Sequence, residues 1–186
     1  MTQKLQDSEF YTIEVAGVTR KLPLLEIEPG VRIAVMNILG DTELIEASAK
    51  ALALRLPANA EVLVAAEAKS IPLAHALSVA SRLPYVVLRK SYKTYMGDAL
   101  SAETLSITTG TPQTLYLDER DRLTVHGHRV ILVDDVISTG STLQSMHLIM
   151  DKAGAEVVAE LAVLTEGDQA KWSHVIALGH LPLFVS

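Results

Sequence analysis

The segment Val130-Ile131-Leu132-Val133-Asp134-Asp135-Val136-Ile137-Ser138-Thr139-Gly140-Ser141-Thr142 constrains the fold more than any other. Its four leading apolar residues read as a buried strand, and the residues from Thr142 to Ala153 follow a helical period. Between them stand two adjacent carboxylates and a run of small hydroxyl residues around Gly140. A buried strand that runs through a short polar loop into a helix is the repeating unit of an open parallel sheet. Ligands of such sheets lie beyond the carboxyl ends of the strands, which is where this loop falls.

The loop suits a ligand with two chemistries. Small residues let backbone N–H groups crowd around an anion, and the helix N-terminus adds its positive dipole. The hydroxyls of Thr139, Ser141 and Thr142 can donate to the same anion, whereas the carboxylates are acceptors that suit sugar hydroxyls. A phosphorylated ribose carries both features. A Walker A loop would need a lysine before the hydroxyl residue, and none is present. A phospho-receiver domain would carry its acids near the first strand, whereas here most of the chain precedes them.

The rest of the chain agrees with an α/β fold. Apolar residues make up 49% of it but aromatics only 4%, so the core must be built from Ala, Val, Leu and Ile, as in parallel strands covered by helices. Residues 10–36 read as short strands joined by turns at Ala16-Gly17 and Pro29-Gly30. Residues 41–56 are helical in period, with Asp41 or Thr42 as cap and Pro57 beyond the end. Strand and helix then alternate: a strand over 61–66, a helix over 70–82, strands over 85–89, 129–133 and 157–164, and short late strands over 175–178 and 183–185. The expected architecture is a parallel sheet of about five strands flanked by helices, with a small hood from both termini (roughly 10–40 and 166–186), all in one domain spanning 1–186. Residues 90–114 are polar and read as a mobile loop or loose hairpin, a length that usually serves function.

A net charge of −6 argues against nucleic acid as a partner. The polar N-terminus holds no apolar stretch long enough for a signal peptide or a span, and there is no cysteine, which fits a cytoplasmic protein. The His126-x-His128 pair stands in a turn without acidic or thiol company, so a solvated turn is the plainer reading than a metal site. Trp172 reads as packing, or as a lid near a ligand.

Residues 130–142 resemble the phosphoribosyl pyrophosphate-binding motif of type I phosphoribosyltransferases. The resemblance implies that Asp134 and Asp135 hold the ribose hydroxyls. It also implies that Ser138, Thr139, Gly140, Ser141 and Thr142 cradle the 5-phosphate. The wider chain, roughly 24–166, is similar to the adenine phosphoribosyltransferase group. In that group a short pyrophosphate loop follows the first central strand. Ala68 and Lys69 occupy that place here, and Lys69 joins the two aspartates as a catalytic candidate. Arg89, Lys90 and Lys93, after the next strand, are the remaining candidates for pyrophosphate.

Val31 and Met36, near the turn that resembles the group's hood, are the base-pocket candidates. Residues 106–110, Ser-Ile-Thr-Thr-Gly, fall where adenine enzymes carry a serine, an acid, a tyrosine and a glycine, so Thr108 and Thr109 replace the acid and the tyrosine. Glu103 or Asp98 are the substitutes within reach in sequence.

The resemblance thus implies transfer of the phosphoribosyl group to a purine, adenine first, with release of pyrophosphate. It also implies Mg²⁺ held mainly by the donor, and a homodimer. A 6-oxopurine acceptor, or a regulator that binds the donor without transferring it, are the alternatives.

Overall fold

The computed structural model describes residues 9–105 and 112–185. Five parallel strands form the central sheet in the order β10-β9-β8-β4-β5. These are β4 (Val62–Ala66), β5 (Tyr85–Leu88), β8 (Arg129–Ile137), β9 (Glu156–Glu166) and β10 (Ile176–Leu181). Alternation along the strands builds two cores. Leu63, Ala65, Ile131 and Val133 face α1 (Thr42–Ala53) and α2 (Ser70–Ser81). Val62, Val64, Val130 and Leu132 face α4 (Ser141–Ala153). These strand residues are essentially solvent-free, and each Leu, Ile or Val so buried contributes roughly 1.5–3 kcal/mol.

A second sheet, antiparallel and four-stranded, joins the two ends of the chain. β1 (Phe10–Val15), β2 (Val18–Glu28) and β3 (Val31–Ala34) pair in sequence, and β11 (Phe184–Val185) closes on β3 through Phe184↔Arg32 and Val185↔Val31. Its strands fall where short strands were expected, over 10–36 and 183–185. Arg20 of β2 reaches Asp41, the N-cap of α1, with Nε 2.7 Å from Oδ2, and so ties this sheet to the α/β body.

Two boundaries differ from the sequence reading, and the hairpin that it offered for the polar stretch is seen. β8 does not stop at Val133 but runs to Ile137, because β9 continues to pair with it as far as Ile137↔Thr165. The carboxylates therefore lie inside the strand rather than after it. The polar stretch after β5 contains an antiparallel hairpin, β6 (Leu100–Leu105) with β7 (Pro112–Leu117); residues 106–111, including Thr108 and Thr109, lie outside the described residues. A short helix, α3 (Glu119–Val125), precedes β8 in a stretch to which the sequence reading assigned no element. Its start is marked by Asp118, whose side chain accepts from Arg120 N–H at 2.9 Å, and by the acidic Glu119 and Asp121 of the first turn. His126 beyond it docks on the Ala153 carbonyl at 2.8 Å.

Candidate functional site

The order of the central sheet reverses between β4 and β8. From β4 the chain continues to β5 on one side, then returns to β8 on the other. Such a switch point opens a crevice at the strand ends, since successive loops leave in opposite directions. β4 pairs with β8 only as far as Ala65↔Val133, so Asp134 and Asp135 stand just past the last shared rung.

Both carboxylates are nearly closed off from solvent, 9% and 7% exposed. Asp134 Oδ1 accepts from the Ser70 hydroxyl at 2.6 Å and from Asp135 N–H at 2.9 Å. Asp135 Oδ2 is buried with no hydrogen-bond partner among the described residues, and Lys69 Nζ stands 4.0 Å from it. Burial pushes the Asp134 carboxyl up to about 7, helped by the Asp135 charge and opposed by the Ser70 hydroxyl. A buried carboxylate oxygen without a donor is costly, and a ligand hydroxyl or cation that reaches it removes that cost.

The turn after β8 is open to anions. Gly140, with φ of +85°, caps α4 without any side-chain cap, and the first turn of that helix carries no acid. Thr139 Oγ1 lies 3.2 Å from Ser141 Oγ, and Ser138 and Thr139 are exposed. A Cβ on Gly140 would meet Trp172 Cη2 at 2.6 Å, so the glycine is required both by its backbone and by the indole against it. Trp172 is 7% exposed, its indole N–H donates to the Glu166 carbonyl at 3.1 Å, and Lys171 Nζ donates to the Thr139 carbonyl at 3.0 Å. Lys171 thus places a positive charge on this turn.

The basic candidates of the other two loops divide. Ala68 and Lys69 are exposed after β4, past a cis peptide between Glu67 and Ala68. Arg89 Nε is 3.2 Å from Glu67 Oε1, and Lys90 N–H donates to Glu67 Oε2 at 2.8 Å. These contacts hold the Glu67 carboxyl below its ordinary range, the Lys90 N–H contributing most. Glu67 therefore ties the loop after β4 to the loop after β5, and the Arg89 charge is already partnered. The Lys90 and Lys93 side chains are exposed.

A cleft of about 620 Å³ connects the anion turn to the four-stranded sheet. That volume is in the range of small-molecule sites. Its walls are Ile27, Glu28 and Ile33 from β2 and β3, Ser138 and Thr139 from the turn, Glu166 and Gly167 at the end of β9, and Leu183. Val31 is half-buried on β3 and Met36 is 4% exposed in the core; neither lines this cleft. Burial raises the Glu166 carboxyl above its ordinary value.

Sequence reasoning left out Ser70, Glu67, Lys171 and Glu166. Ser70 and Glu67 flank the singled-out Ala68 and Lys69. Lys171 and Glu166 carry no local signal, since the fold alone brings them to the turn and the cleft.

Buried paired carboxylates beside a glycine-capped helix start thus stand at the switch point of a parallel sheet. The chain belongs to the phosphoribosyl transferase domain family, whose model matches residues 37–176. The hypoxanthine/guanine phosphoribosyltransferase of Methanococcus voltae is 38% identical over 114 residues, which cover 61% of this chain and 57% of that protein. That of Methanothrix soehngenii is 40% identical over 116 residues, covering 61% and 58%. The matched stretch thus spans less than two thirds of these relatives.

Among solved structures, adenine phosphoribosyltransferase from Thermoanaerobacter pseudethanolicus superposes with a TM-score of 0.66 at 22% identity, over 92% of this chain and 95% of that one. The Trypanosoma brucei adenine phosphoribosyltransferase in complex with AMP, pyrophosphate and ribose-5-phosphate gives 0.63 at 20% identity, over 80% and 70%. At such identities the likeness concerns the fold. No helix among the described residues is long and apolar enough to cross a membrane.

Proposed function

We propose that the protein transfers the 5-phosphoribosyl group of phosphoribosyl pyrophosphate to a purine, giving a nucleoside monophosphate and pyrophosphate. The observation that carries this reading is the buried Asp135 Oδ2, which accepts no hydrogen bond among the described residues, next to Asp134 and one short turn from Gly140. The aspartates accept from the ribose hydroxyls, and residues 138–142 receive the 5-phosphate on the N-terminus of α4. Ala68 and Lys69 face the pyrophosphate. Lys69, a mobile point charge 4.0 Å from Asp135, moves its ammonium to the leaving oxygens as negative charge gathers there. Lys90 and Lys93 stand on the neighbouring loop for the outer phosphate. Arg89, tied to Glu67, orders that loop.

Among the described residues no group of three or more acids or histidines could hold a metal ion. The donor set present therefore fits Mg²⁺ only as an ion held mostly by substrate oxygens and water, with the aspartates nearby. When bound, it neutralises charge on the departing pyrophosphate.

The purine lies in the cleft against Ile27, Ile33 and Leu183. Adenine is the base that the sequence resemblance suggested, whereas the relatives aligned above are named for hypoxanthine and guanine, and their identity over the matched stretch favours a 6-oxopurine. The resemblance also supports a homodimer in the cytoplasm. The alternative of a donor-binding regulator rests on Thr108 and Thr109. The test is formation of the purine nucleoside monophosphate from donor and base, followed by chromatography. The reading expects product with Mg²⁺ and its loss on chelation; a donor left intact with every purine would refute it.

A further inference from the structure

The base cleft contains two acids that the phosphoribosyl chemistry leaves unused, Glu28 and Glu166. Glu166 ends β9, and its backbone is fixed on two sides: its carbonyl accepts from the Trp172 indole at 3.1 Å, and the next N–H, of Gly167, donates to the Leu181 carbonyl at 3.1 Å. Its side chain is half-buried and lines the cleft with Ile27, Ile33 and Leu183. Among the described residues no hydrogen bond or ion pair reaches its carboxylate. Glu28, the other acid of the cleft, is exposed at the end of β2, where water competes for it. Ile27 and Leu183 are themselves about half exposed, at 53% and 46%. The cleft is thus an open apolar wall with one half-buried carboxylate, which suits a flat ring with N–H groups on its edge.

Resting on the function proposed above, we infer that Glu166 is the specificity-determining residue of the base site, its carboxylate accepting from the N1–H and exocyclic amine of a guanine-type purine. The two donors of guanine lie side by side, and a carboxylate offers two acceptors at matching separation. Hypoxanthine presents only the N1–H. Adenine presents an acceptor at N1, which faces an ionised carboxylate unfavourably. The expected order is guanine, then hypoxanthine, then adenine.

Glu166→Gln tests this, because glutamine keeps the shape and sets an amide N–H₂ against one of the base's donors. Its kcat/KM for guanine should fall roughly 10–100-fold, the discrimination typical of a bidentate contact to a base, mostly through KM. Adenine should be unchanged or improved. Titration of GMP, AMP and ribose 5-phosphate into both proteins gives a second reading that does not need turnover. GMP should weaken by a similar factor while ribose 5-phosphate is unchanged, which also shows that the variant folds.

Equal effects on guanine and adenine, or none on guanine, would overturn the assignment of Glu166. A protein that converts no base, yet whose GMP affinity alone falls in the variant, would overturn the transferase reading and keep this one.

Discussion

The carboxylates and the anion turn come from one continuous stretch, β8 through the first turn of α4, of which Ser138 and Thr139 reach the cleft. The apolar side gathers Ile27 and Ile33 from the second sheet, Glu166 from the end of β9, and Leu183 from near the C-terminus. The first side is held by the central sheet, with Val130, Ile131, Leu132 and Val133 wholly buried beneath it. The second rests on a smaller sheet whose closing strand is two residues long. The side proposed to receive the sugar phosphate is thus local and held by the central sheet. The side proposed to meet the base is composite, drawn from separate elements.

The largest effect that would break this contrast is on the aspartates. Asp134→Asn with Asp135→Asn should weaken the donor by more than about 100-fold in calorimetry, because hydroxyl acceptors become half donors at a desolvated site. The circular dichroism and melting temperature should not fall. Unaltered donor affinity would remove the pair from the ribose.

Lys69→Ala should weaken phosphoribosyl pyrophosphate roughly 10-fold, as expected for one charge-assisted contact, while ribose 5-phosphate binds as before. Equal losses for both ligands would take Lys69 away from the pyrophosphate.

Gly140→Ala sharpens the contrast on the anion turn. The added methyl meets Trp172 at 2.6 Å and the backbone stands at φ +85°, so a loss of about 1–3 kcal/mol is expected, with weaker ribose 5-phosphate binding. Trp172 is the sole tryptophan, so its fluorescence should shift in the variant. An unchanged spectrum would mean that the indole does not rest on this turn.

The smallest effect concerns pH. The native Asp134 carboxyl, raised to about 7, holds its proton where the unfolded chain has lost it. The fold therefore binds more protons between about pH 4 and 7, and its stability declines as pH rises through that window. Asp134→Asn keeps the acceptor oxygen for Ser70 and removes the buried charge. It should raise Tm at pH 7.5 by a few degrees, on the order of 1 kcal/mol or more, and flatten the profile between pH 4 and 7. A parallel shift of the whole profile would assign the slope to other groups.

What the sequence revealed follows the same division. The strand, acids, glycine and helix of residues 130–153 are consecutive, and each has its own local cause, so fold and anion turn were both legible there. The end of β8 was not, since its extension past the aspartates depends on pairing with β9, a partner some thirty residues away. The seven residues of α3 carry too few apolar positions for a period to show, though Asp118 marks their start. Of β3, Ile33 reaches the cleft, whereas Val31, the residue singled out from the sequence, does not. Glu166 could be found only once β9 was placed beside the turn.

The most direct test of the central claim is pyrophosphate release from the donor with Mg²⁺, measured across guanine, hypoxanthine, xanthine, adenine, uracil and orotate. Release that requires a purine, and is negligible with uracil, orotate or no base, is the predicted result. Donor that binds in calorimetry but yields no pyrophosphate with any base would contradict it, and would mark the chain as a binder of the sugar phosphate.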